Sequence, residues 1–155
     1  YELSMNRFPI KVTYGIMATI ELARHGRSTP LQAKTIARQQ GIPARFIEQI
    51  LQGLKQAGIV RSLRGAQGGY TLAQDPQQIS LAELVNSMNG AGTPSSMANG
   101  STEQSENPQV SNTLLSNIWA QVQEAEQAVL RVISLQTLVE QYQKLESQRS
   151  LMYHI

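Results

Sequence analysis

Gly41-Ile42-Pro43-Ala44-Arg45-Phe46-Ile47-Glu48-Gln49-Ile50-Leu51-Gln52-Gly53-Leu54-Lys55-Gln56-Ala57-Gly58 reads as a turn, one helix and a stop. Gly41 can take the positive φ of a tight turn. Pro43 suits the start of a helix, where no intrahelical N–H is needed. Phe46, Ile47, Ile50, Leu51 and Leu54 recur at three- and four-residue spacing and make one apolar face. Ala44, Arg45, Glu48, Gln49, Gln52 and Lys55 fall on the other side, and Gly58 is placed to end the helix.

The flanks of this helix give it a context. Downstream, Ile59-Val60-Arg61-Ser62-Leu63 is a short β-branched run and Tyr70-Thr71-Leu72 a second strand. Between them lies the glycine-rich loop Arg64-Gly65-Ala66-Gln67-Gly68-Gly69. Helix, strand, glycine loop, strand is the pattern of a winged helix, in which the helix enters a DNA major groove and the loop reaches phosphates or the minor groove. A phosphate-cradling nucleotide loop would need a helix directly after the glycines, often behind Gly-Lys-Ser/Thr; a strand follows here instead. Upstream, Gln32–Gln40 reads as a short helix, which completes a helix-turn-helix. Its Lys34 and Arg38, four residues apart, are either phosphate contacts or part of a solvated face. Thr29-Pro30-Leu31 is expected to be an edge strand that makes the wing sheet three-stranded. Residues 10–25 are a first helix, with Val12, Ile16, Met17, Ile20 and Ala23 as its apolar stripe.

Beyond the wing, Asp75-Pro76 marks a turn and Ser80-Leu81-Ala82-Glu83 a capping box that opens a helix over 80–89. Ile79-Ser80-Leu81-Ala82-Glu83-Leu84-Val85 is echoed by Ile133-Ser134-Leu135-Gln136-Thr137-Leu138-Val139, two helices started by the same serine cap. From Gly90 the chain turns to Gly, Ser, Asn, Thr and Glu, too poor in apolar surface to offset its ordering entropy, and 90–110 is expected to be a flexible loop. Residues 110–133 form a long amphipathic helix with Leu114, Leu115, Ile118, Trp119, Val122, Ala125, Val129, Val132 and Ile133. One winged domain does not need so long a stripe, so it implies a partner helix, with Trp119 a core or interface filler rather than a ligand-stacking ring. A last helix is expected over 134–147, with Leu135, Leu138, Val139, Tyr142 and Leu145 on one face.

Composition narrows the function. The chain has 155 residues, 41% of them hydrophobic, enough for one domain with an appended helical arm. No apolar run would span a bilayer and no secretory pattern opens the chain, so no membrane is expected and the location is read as cytoplasmic, with Met5 as the native start. There is no cysteine, and the two histidines are His25 and His154, so neither a metal site nor a cofactor is expected. No catalytic constellation forms around these histidines; Glu124 and Glu126 point to different sides of their helix, and no enzyme activity is expected. Residues 1–89 hold ten Lys and Arg against five Asp and Glu, a surplus of five; residues 90–155 hold three against six. The first part suits a polyanion and the second does not.

Ala44–Leu51, Leu54–Val60 and above all the wing Arg64-Gly65-Ala66-Gln67-Gly68-Gly69-Tyr70-Thr71-Leu72 resemble the Rrf-type winged-helix regulators, the family of IscR, NsrR and CymR. The resemblance runs from about Thr13 to about Val139. It implies a mostly α fold with a small β-wing: a winged helix-turn-helix over 1–89, the loop 90–110, and a helical dimerisation region over 111–155. It implies double-stranded DNA, a palindromic operator, as partner, with the long helix paired antiparallel across a two-fold. The residues expected to contact DNA are Lys34, Arg38, Ala44, Arg45, Phe46, Glu48, Gln49, Lys55, Arg61, Arg64, Gly65 and Gln67; of these the resemblance itself matches Phe46, which is equally a packing residue, and the wing tip Arg64 and Gly65. Leu114, Leu115, Ile118, Trp119, Val122 and Val129 are matched to the dimer interface. Cluster-binding members carry three cysteines before the long helix and a histidine ahead of its tryptophan. Here Thr113 takes the place of the last cysteine and Ser116 that of the histidine, which disfavours an iron–sulfur cluster. The expected function is a homodimeric regulator, a repressor, under control of an effector ligand or a partner enzyme. The alternative is a winged-helix protein-interaction module that does not touch DNA.

Overall fold

The computed structural model describes residues 8–89 and 109–154. Along these residues the chain forms α1 (Ile10–His25), α2 (Ala33–Gln40), α3 (Ala44–Gln56), β1 (Val60–Leu63), β2 (Gly69–Leu72), a 3-10 turn (Pro76–Gln78), α4 (Leu81–Met88), α5 (Val110–Val132) and α6 (Leu135–Tyr153). The fold is mostly helical with one small antiparallel hairpin, as expected. Most of the loop expected over 90–110 lies outside the described residues; its end does not, because Val110 already begins α5. Among the described residues no helix is long and apolar enough to cross a membrane.

The turn between α2 and α3 is set by Gly41, which takes φ 67°. Its N–H and that of Ile42, at 2.9 Å, both reach Ala37 O, closing the end of α2. Ile42 is thereby driven into the core, 4% exposed, and α3 follows with Ile47, Ile50, Leu51 and Leu54 buried. The hairpin pairs Val60 with Leu72, Arg61 with Thr71, Ser62 with Tyr70 and Leu63 with Gly69.

Thr29–Leu31 does not make a third strand. It contributes one bridge, with Leu31 N–H donating to Tyr70 O at 3.0 Å and Tyr70 N–H to Leu31 O at 2.7 Å. The ladder stops there because Pro30 has no N–H and Gln32 O already accepts from Thr35 and Ile36 to start α2. The close approach is possible because residue 69 is glycine: a Cβ there would lie 2.4 Å from Leu31 O.

The stripe expected on α1 packs against the core but is only part of the buried surface of this helix. Its buried residues are Val12, Gly15, Ala18, Thr19, Glu21 and Leu22, while Ile16, Met17, Ile20 and Ala23 are only half-buried. This helix packs against α2, α3, α4 and α6 at once. A helix covered on several sides does not mark its contacts by one row of large apolar residues, and small ones sit at the closest approaches. Gly15 does so against Met88, whose side chain would lie 3.1 Å from an added Cβ.

The echoed segments meet in space. Leu81 N–H donates to Ile133 O and Leu135 N–H to Ile79 O, each at 2.8 Å, so Ser80 and Ser134 form an antiparallel bridge. Ser80 Oγ accepts from Glu83 N–H at 3.1 Å and Ser134 Oγ from Thr137 N–H at 3.1 Å. Two helix starts thus cap themselves by serine and each other by backbone.

From this joint α6 returns across α1. It runs six residues past the expected end at 147, through a stretch without Gly or Pro and rich in good helix formers. Leu145 is not on its inner face but 66% exposed. The neighbouring Glu146 accepts from Arg24 at 2.8 Å at the surface, while the Arg24 guanidinium lies 4.5 Å from the Tyr142 ring centroid. Arg24 also donates to Glu21 at 3.0 Å, and Gln40 of α2 donates to the same Glu21 oxygen. Glu21 is 7% exposed, so its charge depends on these donors.

That asymmetry gives a stability test. Arg24→Ala leaves the Glu21 carboxylate buried without its cation and is expected to cost about 2 kcal/mol. Glu146→Ala frees a side chain half in water and is expected to cost less than about 1 kcal/mol. Urea unfolding of the two variants checks the order; equal losses would contradict it.

Candidate nucleic-acid interface

The outer side of α3 is set by subtraction. With Ile47, Ile50, Leu51 and Leu54 buried, a period of 3.6 leaves Ala44, Arg45, Glu48, Gln49, Gln52 and Lys55 exposed. Phe46 lies between the two sides, half-buried against the core. Its ring centroid is 5.8 Å from that of Tyr14 on α1, and the Arg45 guanidinium carbon is 4.7 Å from its own.

Lys34 and Arg38 are exposed on α2, one turn apart, and Arg61 is exposed on β1 opposite the buried Thr71. The wing carries Arg64, Gly65 and Gln67, all exposed. Gly65 takes φ 110°, and its carbonyl accepts from Gly68 N–H at 2.9 Å, which folds the loop tip over a short span. All twelve residues expected to contact DNA therefore sit on α2, α3 or the hairpin, and eleven of them are exposed.

Charge use separates the arginines. Arg24 is held by Glu21 and Glu146, and Arg27 donates to Ala73 O at 3.3 Å. Among the described residues no ion pair involves Lys34, Arg38, Arg45, Lys55, Arg61 or Arg64. These six cations meet solvent without an ion pair among the described residues, the state that favours release of counterions from a polyanion.

Glu48 is the acidic exception on the outer face. Its carboxylate acts on Tyr70 of β2, whose phenol is held above its ordinary value of 10.0, first by burial and then by this charge. Tyr14 and Tyr70 did not stand out in the sequence as parts of this face; no spacing rule links α1 or β2 to α3.

The residues matched to the dimer interface occupy a different element. Of the whole of α5 only Leu130 is buried. Trp119 is 62% exposed, Leu114 and Val129 58%, and Leu115, Ile118 and Val122 exceed 40%. Phe8, Val122, Ala125, Glu126, Val129 and Leu130 line a shallow open apolar depression that continues this face.

A helix-turn-helix followed by a β-hairpin with an exposed basic tip defines a winged-helix protein. The chain belongs to the Rrf2 family, whose model, described as iron-dependent transcriptional regulator, matches residues 9–141. It is 30% identical over 127 residues to the protein rrf2 of Nitratidesulfovibrio vulgaris, covering 82% of this chain and 81% of that one. It is 34% identical over 84 residues to the HTH-type transcriptional regulator CymR of Bacillus subtilis, covering 54% and 61%. Among solved structures, IscR of T. potens superposes with a TM-score of 0.70 at 28% identity, covering 90% of each chain. The chain spans between 51% and 61% of the length of three curated relatives that it matches.

Tyr70 provides a titration test. The unfolded phenol loses its proton near 10.0 while the folded one retains it to higher pH, so stability should fall as pH rises through that window. Absorbance titration is expected to show a late phase that Tyr70→Phe removes and Glu48→Gln shifts part of the way down. A phase untouched by both variants would contradict the assignment.

Proposed function

We propose that the chain is a homodimeric, sequence-specific DNA-binding transcription regulator, acting in the cytoplasm as a repressor. The observation that carries this reading is the set of six exposed cations on α2, α3 and the wing that form no ion pair among the described residues. Arg45, Glu48 and Gln49 have the chemistry to read base edges: arginine on guanine, glutamine on adenine, glutamate accepting from cytosine. Lys34, Arg38, Lys55 and Arg61 suit phosphates, as does Gln67. Arg64 beside Gly65 suits a narrow minor groove. Ala44 and Phe46, at the start of α3, stand where a recognition helix comes closest to the bases.

Dimer formation through α5 is supported by its exposed Leu114, Leu115, Ile118, Trp119, Val122 and Val129. An apolar row of this length on one helix favours burial against another copy of itself. Two copies would then present two α3 helices to successive major grooves of a palindrome.

We further propose that this regulator works without an iron–sulfur cluster, although the family description names iron. The donor set supports this. The sequence has no cysteine, and Thr113 and Ser116 offer hydroxyls, which do not replace thiolates on iron. Among the described residues no three His, Asp or Glu come together as a metal site. Control is then assigned to a small molecule or to a protein partner such as an enzyme.

Two measurements test the reading. Arg64→Ala is expected to weaken duplex binding and to flatten the dependence of log affinity on log salt by about 1.8 for the dimer, about 0.9 for each copy; an unchanged slope would remove Arg64 from the phosphate or groove contacts. Trp119→Glu is expected to shift the chain from dimer to monomer in sedimentation velocity and to lower operator affinity at least tenfold, since half of the contacts go. A dimer that survives this charge would move the interface off α5.

A further inference from the structure

Arg45 has a constraint that the other five exposed cations of α2, α3 and the hairpin lack. Its guanidinium carbon lies 4.7 Å from the centroid of Phe46, the next residue on α3. The Phe46 ring is backed by Tyr14 of α1, with centroids 5.8 Å apart and planes inclined at 34°. Both rings are half-buried against the core, whereas Arg45 is exposed. A guanidinium lying over a ring uses its face there and leaves its edge N–H groups free. Among the described residues no hydrogen bond or ion pair occupies those donors.

We infer that Tyr14 and Phe46 are positioning residues that hold Arg45 with its N–H edge outward for a single guanine in the major groove. The inference rests on the DNA-binding reading above and names the base that this part of the face selects. A free arginine in solvent samples many rotamers, and ordering them on binding weakens the contact. A guanidinium already lying over Phe46 has lost part of that freedom, so more of its bidentate pairing with guanine O6 and N7 is expressed as discrimination. Tyr14 acts at one remove. It does not reach DNA, but it fixes the ring on which Arg45 lies, coupling the first helix of the fold to base choice on the third. The tyrosine ring, not its hydroxyl, makes this contact, so phenylalanine should serve in its place.

The test uses the full chain, the duplex that it selects, and a panel of that duplex with each base pair replaced in turn, at two salt concentrations. Arg45→Lys keeps the charge and loses the planar fork. It is expected to reduce discrimination by tenfold or more at one G·C pair in each half-site, and nowhere else. Tyr14→Leu and Phe46→Leu are expected to reduce discrimination at that same pair about two- to fivefold, with the salt slope unchanged because no phosphate contact is lost. Tyr14→Phe is expected to restore the wild-type profile. The inference is overturned if Arg45→Lys changes affinity equally for every duplex, which would make Arg45 a phosphate contact. It is overturned equally if Tyr14→Leu lowers thermal stability without changing the profile at that base pair. Arg45 is exposed, so Arg45→Lys remains decisive even where a ring variant fails to fold. A wild-type chain that discriminates no duplex at all would instead refute the DNA-binding reading itself.

Discussion

Two hydrogen bonds between the starts of α4 and α6 determine where everything after the wing can go. The first N–H groups of a helix have no partner within it. Here Leu81 and Leu135 solve that problem for each other, each donating at 2.8 Å to the carbonyl two positions before the other's helix start, Ile133 and Ile79. Ile79 and Leu135 are fully buried at the joint, so the pair is screened from water that would compete for the same groups. With this corner held, α5 must arrive and α6 must leave in fixed directions. The return of α6 over α1 then closes the Arg24 network, and the apolar face of α5 is left pointing away from the body that it came from.

Charge is divided between the fold and the outer face. Arg24 is spent on the fold, between the buried Glu21 and the half-exposed Glu146, while Lys34, Arg38, Arg45, Lys55, Arg61 and Arg64 form no ion pair among the described residues. A net charge of +2 for the whole chain conceals this. Acidic residues collect in the second part of the sequence, away from the helix-turn-helix and wing, and those in the first part are mostly engaged: Glu21 with Arg24 and Gln40, Glu83 with its capping box, Asp75 with Gln77 N–H. Glu48 is left on the outer face of α3, exposed, with its charge felt by Tyr70 of β2.

How much of this was legible depended on the range of the interaction involved. The Gly41 turn, the Ser80 box and the wing glycines are local, each decided by a few dihedrals and one or two nearby donors, and these were read correctly with boundaries within a residue or so. The row on α5 was legible because nothing within the winged body competes for it. What failed was tertiary. Thr29–Leu31 has the composition of an edge strand, yet Pro30 and the cap of α2 leave one bridge. The α1 stripe was incomplete: Val12, Ile16, Met17, Ile20 and Ala23 do pack against the core, but Gly15, Ala18, Thr19, Glu21 and Leu22 are buried as well, because four helices share that surface. Leu145, expected on the inner face of α6, is exposed, while the neighbouring Glu146 reaches Arg24, 122 positions away. The echo of Ile79–Val85 in Ile133–Val139 was visible as two caps, but that the caps join each other needs the fold.

The central claim is that this face reads DNA sequence without a metal. The most direct measurement is selection of bound duplexes from a random pool by the purified chain in the presence of a strong chelator, followed by sequencing of the bound fraction. The account predicts enrichment of one palindrome whose half-sites are about one helical turn apart, with a G·C pair common to both. Enrichment that appears only when iron is supplied, or none above the input pool, would contradict it.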